Sequence, residues 1–241
     1  MTAKRALLTA LALLASLGAA APRTGGSGAA GSGAAGSGAA GLSAAQLRAA
    51  PLDGPTSWRG RGAIRGLTIG PIENGYHPGR GYGTAAFERS LDEAKAMGAT
   101  WIALTPFGRV GSLAGLGIDP TFEAPFADNR EAVRRSVAQA HARGLKVFLV
   151  PHLWVESGDW RARIDPGSDA GWRAWARSYE RYVLAWARVA ESSGVEMFSA
   201  GVELRSWVTT PRAPSFVAVL RAIRRVYHGV LTYSANWDDV E

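Results

Sequence analysis

The feature that most constrains this chain is the regular exchange of short apolar runs with amphipathic helical stretches from Gly66 onward. "GLTIG" (66–70) is an apolar run bounded by glycines, which suits a buried parallel strand. "TAAFERSLDEAKAMG" follows, with Thr84 as N-cap, Phe87, Leu91 and Ala94 on one face, and Gly98 as the stop. "ATWIALTPF" is the second strand. In "DNREAVRRSVAQAHARG", Asp128 and Glu131 have capping-box spacing, Val133 and Val137 face inward and Gly144 ends the helix. "LKVFLVPHLW" is the third strand. A long helix then places Trp172, Trp175, Tyr179, Val183, Trp186 and Val189 at three-to-four-residue intervals, which assigns its tryptophans to packing. "EMFSAGVEL" is the fourth strand, a helix begins near Pro214 with Phe216, Leu220, Ile223 and Val226, and "VLTYSANW" is the fifth strand.

Such alternation predicts an α/β domain with a parallel sheet and right-handed crossovers, either an open doubly wound sheet or a (β/α)8 barrel. The first βα turn, "GPIENGYHPGRGYG", lacks the G-x-G-x-x-G spacing of a dinucleotide fold, and no P-loop occurs. The strand ends carry bulky polar and aromatic groups instead: His152 and Trp154, Glu203, then Asn236 and Trp237. Barrels draw catalytic residues from the C-terminal ends of several strands, so the barrel is favoured. Only about the first five β/α units are visible, and Trp58 to Glu241 falls short of the roughly 250 residues typical of a barrel. The expectation is a barrel domain incomplete at its C-terminal side.

The residues before this domain read differently. Residues 1–21 open with Lys4 and Arg5, continue with "ALLTALALLASLGAAA" and end in small residues, the pattern of a secretory signal peptide. Residues 22–57 contain "GSGAAGSGAAGSGAA", which cannot bury enough surface to offset its ordering entropy and is expected to be a flexible linker. The folded domain is therefore placed at 58–241, in a secreted or periplasmic protein with no membrane attachment beyond the export signal. Without cysteine its stability rests on core packing. The net charge of +7 is scattered: "EAVRRSV" and "LRAIRRV" fall on helices with an apolar opposite face, which argues against a nucleic-acid partner. His77, His141, His152 and His228 show no ligand spacing, so no metal or other cofactor is expected. The absence of G-x-S-x-G disfavours a serine hydrolase of that class.

Glu203 is the most informative residue. An apolar run ends on this carboxylate at a strand tip, which predicts a desolvated, protonated carboxyl able to act as a general acid. The plain alternative is a strand-end ion pair with an arginine such as Arg205. Sugar sites combine flat aromatic faces with amide, imidazole and guanidinium groups, and Trp154, Trp160, Trp207 and Trp237 are candidate platforms. His152 is equally readable as a substrate contact or as a hydrogen-bonded structural residue.

Taken together, "KVFLVPHLW", "GDWRARI", "YERYVLAWARVAESSGVEMFSAGVEL" and "LTYSANW" resemble glycoside hydrolase family 113. That family consists of (β/α)8-barrel retaining β-mannanases with catalytic glutamates on strands four and seven. The resemblance implies that Glu203 is the acid/base, that His152, Trp154, Trp160 and Arg161 line the cleft from the strand-three loop, and that Asn236 and Trp237 face it from strand five. Val202 stands where the wider clan has an asparagine. The strand-seven nucleophile has no counterpart here, and Asp238, Asp239 and Glu241 belong to the wrong loop to replace it. The resemblance therefore implies a monomeric endo-β-1,4-mannanase-like enzyme acting on a polysaccharide or oligosaccharide, expected to be inactive as written. A carbohydrate-binding module without catalysis is the alternative.

Overall fold

The computed structural model describes residues 63–71, 76–121 and 124–237; the segments expected to be an export signal and a linker, the expected domain start near Trp58 and the acidic residues Asp238, Asp239 and Glu241 lie outside them. Five parallel strands form one sheet in the order β1 (Gly66–Ile69), β2 (Trp101–Leu104), β4 (Lys146–Leu149), β6 (Met197–Val202) and β7 (Val230–Ser234). Neighbours in space follow one another along the chain, as in one arc of a β/α barrel rather than a doubly wound sheet. Helices α1 (Ala85–Ala96), α2 (Phe126–Ala142), α3 (Asp169–Ser192), the short α4 (Arg205–Val208) and α5 (Ala213–Arg224) lie between the strands in sequence. None of the described helices is long and apolar enough to cross a membrane.

Strand alternation explains the core. Ile102, Leu104, Val147 and Leu149 are fully buried, while Trp101, Ala103 and Phe148, on the opposite face, are only partly covered. The residues expected to turn inward from α1, α2 and α5 do so, with Phe87, Leu91, Ala94, Val133, Val137, Phe216, Leu220 and Ile223 all buried. Along α3, Trp172, Trp175, Tyr179, Val183, Trp186 and Val189 are buried as their spacing predicts. Thr84 caps α1 by accepting the Phe87 N–H at 3.3 Å.

Three expectations are corrected. Helix α2 starts at Phe126 behind Pro125, with no side-chain cap, so Asp128 sits inside the first turn instead of heading a capping box. Its carboxylate still lies near the positive end of the helix dipole. Strand β1 is exposed along most of its length because, among the described residues, it is an edge strand with β2 as its only neighbour. Strands two and three are each broken by a proline, Pro106 and Pro151, which cannot donate to the ladder. Beyond the breaks the chain pairs again as a separate two-stranded parallel sheet, β3 (Phe107–Val110) with β5 (His152–Val155).

This small sheet stands above the C-terminal edge of the large one and carries part of the site. The Tyr182 hydroxyl anchors it, reaching the carbonyls of Pro106 and His152 at 3.3 and 3.0 Å. Gly108 permits that approach: a Cβ there would meet Tyr182 at 2.9 Å and Ile118 at 2.6 Å.

Candidate active site

The site is built around the end of β6. Ser199 pairs with Thr232 of β7 but Val202 pairs with Ser234, so β6 spends one residue more than its partner over that interval, as in a β-bulge. Bulges redirect the side chains that follow them. Gly201 sits in this distortion with little room, since an added Cβ would lie 3.0 Å from the Tyr179 Oη, 3.1 Å from Leu204 and 3.2 Å from Tyr233. Tyr179 Oη donates to the Ala200 carbonyl at 2.8 Å, and burial pushes its pKa well above the ordinary phenol value, keeping it a donor.

Glu203 emerges from the bulge with φ of +51°, the only positive φ among the described non-glycine residues. That left-handed conformation is unfavourable for a side chain with a Cβ, by about 1–2 kcal/mol. The surroundings impose it. Ser234 O accepts the Glu203 N–H at 2.9 Å, and Tyr233 Oη accepts the Leu204 N–H at 2.6 Å. Strain of this kind persists where neighbouring structure over-determines it, and such residues cluster at functional sites.

The carboxyl group is not isolated. Its Oε2 accepts the Trp160 Nε1–H at 2.8 Å and an Arg161 Nη1–H at 2.6 Å. Arg161 also donates from Nε to the Leu153 carbonyl at 2.8 Å, and its side chain is 19% exposed against 26% for that of Glu203. Burial pulls the Arg161 pKa below its ordinary value, with Glu203 opposing that effect. The desolvated carboxyl expected from the sequence is therefore not alone: Glu203 pairs with Arg161 at 2.6 Å. Arg205 is not its partner.

His152 lies beside this pair on β5. Both backbone groups of Leu153 face His152 Nδ1, the N–H at 3.0 Å and the carbonyl oxygen at 3.3 Å. Burial first, and then the charge of Arg161, lower its pKa to about 4, so the ring is neutral at ordinary pH. Across the window between about 4 and 6.5 the unfolded chain binds more protons than the native one. Stability is thus expected to rise with pH through that window, by at most about 1.4 kcal/mol per pH unit. Urea unfolding at the two ends of the window should show a flatter dependence for His152→Gln than for the unaltered chain. Equal slopes would mean that the ring is not held neutral.

Aromatic surface extends from the pair. Phe107 lies against His152 at 4.8 Å and meets Trp154 edge-on at 6.3 Å. Trp154 is 47% exposed and Trp237 84% exposed. The structure brings Glu203, Trp160, Arg161 and His152 together. Asn236 instead bonds locally, its Oδ1 accepting the Trp237 N–H at 3.0 Å. Trp207, a candidate platform from the sequence, is corrected: it is 1% exposed and packed among Trp175, Tyr179 and Phe216. Phe107 was missed in the sequence because it follows Pro106 and read as the end of a strand. The Pro106 and Pro151 pair was the signal that could have revealed the second sheet. A groove of about 490 Å³ between α3 and α5 contains none of these residues.

Comparison with known proteins bears on the family and the fold. The profile of Glycoside Hydrolase Family 113 matches residues 73–240. A solved structure described as a complex of a GH113 β-1,4-mannanase is 22% identical, with a TM-score of 0.62 over 74% of this chain and 58% of that one. The GH113 β-mannanase AaManA from Alicyclobacillus acidocaldarius, in complex with ManMIm, is 27% identical, with a TM-score of 0.61 over 73% of this chain and 58% of that one. No curated protein sequence matches. The chain thus spans 58% of the length of these structures. With most of its described residues inside the profile and its sheet superposing on these barrels, the chain belongs to glycoside hydrolase family 113.

Proposed function

We propose that this protein is an exported enzyme that cleaves β-1,4-linked polysaccharide, mannan foremost, by a retaining mechanism with Glu203 as acid/base. The observation that carries this reading is the backbone of Glu203: a strained carboxylate is held at a strand tip, where Trp160 and Arg161 meet it. Among the described residues, Glu203 is the only carboxylate within two positions of the C-terminal end of a strand in the five-stranded sheet. Preference for mannan comes from the similar structures, which are those of β-mannanases.

In the first step Glu203, protonated, passes its proton to the glycosidic oxygen as the C1–O bond breaks, and the leaving sugar departs as an alcohol. A second carboxylate about 5–5.5 Å away takes C1 to form the glycosyl-enzyme. Glu203, now ionised, removes a proton from water as that water attacks C1 and the bond between C1 and the second carboxylate breaks, restoring the starting state. The second carboxylate is not assigned among the described residues. His152 offers a neutral imidazole to a sugar hydroxyl, and Trp154 and Trp237 offer flat faces. Trp160 and Arg161 hold the Glu203 carboxylate, and Asn236 completes the proposed cleft.

The Arg161 ion pair favours a second reading, a carbohydrate-binding module without turnover, because it engages one oxygen of Glu203 in a charge-assisted hydrogen bond. A panel of mannan, glucan and xylan separates the two. Release of reducing ends, fastest on mannan, supports the enzyme. Ligand-induced change in tryptophan fluorescence without new reducing ends supports the binding module.

A further inference from the structure

We propose that Arg161 and Trp160 act through Glu203 rather than on the sugar, by occupying Oε2 so that Oε1 becomes the oxygen that exchanges the proton. This rests on Glu203 being the acid/base. A glutamate side chain ordinarily samples several rotamers, and its two carboxyl oxygens exchange places by rotation about the last torsion. Here that freedom is removed at both ends. At the head, Trp160 Nε1 and Arg161 Nη1 both donate to Oε2, at 2.8 and 2.6 Å. At the base, Ser234 O and Tyr233 Oη fix the peptide groups on either side of the Glu203 Cα.

Arg161 is itself tied down. Its Nε donates to Leu153 O on β5, so one guanidinium bridges the small sheet and the tip of β6. Trp160 and Arg161 are adjacent, at the start of the 3-10 turn Arg161–Arg163, so a single turn delivers both donors. A proton arriving at Oε2 would have to displace an N–H already there, whereas neither of these donors uses Oε1. Arg161 is then a positioning residue, and Trp160 its neutral companion. Reacting groups must be held to about 0.5 Å and 10–20° for efficient transfer, which two donors on one oxygen achieve.

The test reads the arrangement without requiring turnover. In a ¹H–¹⁵N spectrum of the whole chain, which has nine tryptophans, the Trp160 indole signal is identified by its loss in Trp160→Phe. That signal should shift and lose protection from solvent exchange in Glu203→Ala and equally in Arg161→Met. If it stays in place in Arg161→Met, the guanidinium does not orient the carboxyl and the proposal is overturned. Arg161→Lys, which keeps the charge but cannot span both acceptors, should move the signal in the same direction and guards against a poorly folded Met variant. A loss of manno-oligosaccharide affinity beyond about tenfold in Arg161→Met with the indole signal unmoved would make Arg161 a sugar contact and overturn the proposal. A lack of oligosaccharide binding by the unaltered chain speaks against the proposed function, whereas the position of the indole signal still decides whether Arg161 orients the carboxyl.

Discussion

Glu203→Gln is expected to lower the rate of β-mannan cleavage by about 10²–10⁴-fold, the usual contribution of a general acid/base, while oligosaccharide binding is retained. Glutamine keeps the length of the side chain and an amide oxygen that can still accept from Trp160 and Arg161, so the local framework survives. It cannot deliver a proton to a leaving oxygen or take one from water. The measurement belongs on a chain extended to the length of the family 113 structures, since the present one spans 58% of them. Undiminished turnover in that variant removes Glu203 from the mechanism. A companion pair isolates the backbone. Glu203→Ala and Glu203→Gly both lose the carboxylate and leave Arg161 equally unpaired, but only glycine adopts a φ of +51° without steric conflict. The glycine variant should be the more stable by about 1 kcal/mol, which corresponds to about 2–4 °C in Tm for a domain of this size. Equal melting temperatures would show that the left-handed conformation stores no strain.

These two effects oppose one another in the natural protein, and that opposition explains why the site was only partly legible in the sequence. The helix faces and the order of the strands were readable because burial imposes a period, and Phe87, Val133, Trp175 and Phe216 follow it. Glu203 stood out for a related reason, as a carboxylate at the end of an apolar run. Its environment did not follow from that run. The partner, Arg161, lies 42 residues earlier, on a turn after β5, and no local pattern connects the two. Desolvation along the strand suggested a carboxyl standing alone, but tertiary structure brings a guanidinium to 2.6 Å from it. The bulge was equally hidden, since "SAGVEL" reads as an unbroken strand until Gly201 is seen wedged between Tyr179 and Tyr233. Likewise Pro106 and Pro151 were visible, yet only their pairing across the chain converts two strand breaks into a second sheet.

Trp207→Ala is expected to destabilise the protein by about 3–5 kcal/mol, a drop in Tm of more than about 6 °C, with no selective loss of sugar affinity in the molecules that remain folded. The reason is the position of the indole. It sits 5.1 Å from Phe216 and 5.3 Å from Tyr179, both edge-on, with Trp175 at 6.2 Å and Trp172 at 6.3 Å. Its Nε1–H reaches Ser215 Oγ at 2.6 Å, which joins α4 to the start of α5. Truncation leaves a cavity at the junction of α3, α4 and α5, directly behind the strand tip that carries Glu203. Trp207→Phe should recover most of the loss: an aromatic ring again fills the space, and Ser215 Oγ still has the Arg212 carbonyl to donate to at 2.8 Å. Trp154→Ala should behave in the opposite way. With 47% of the residue exposed, its removal should alter stability by about 1 kcal/mol or less yet weaken oligosaccharide binding. Thermal melts and ligand titrations on the two alanine variants decide the matter. If Trp207→Ala melted normally and lost sugar, the buried indole would be the platform after all, and the roles of scaffold and shelf would be reversed.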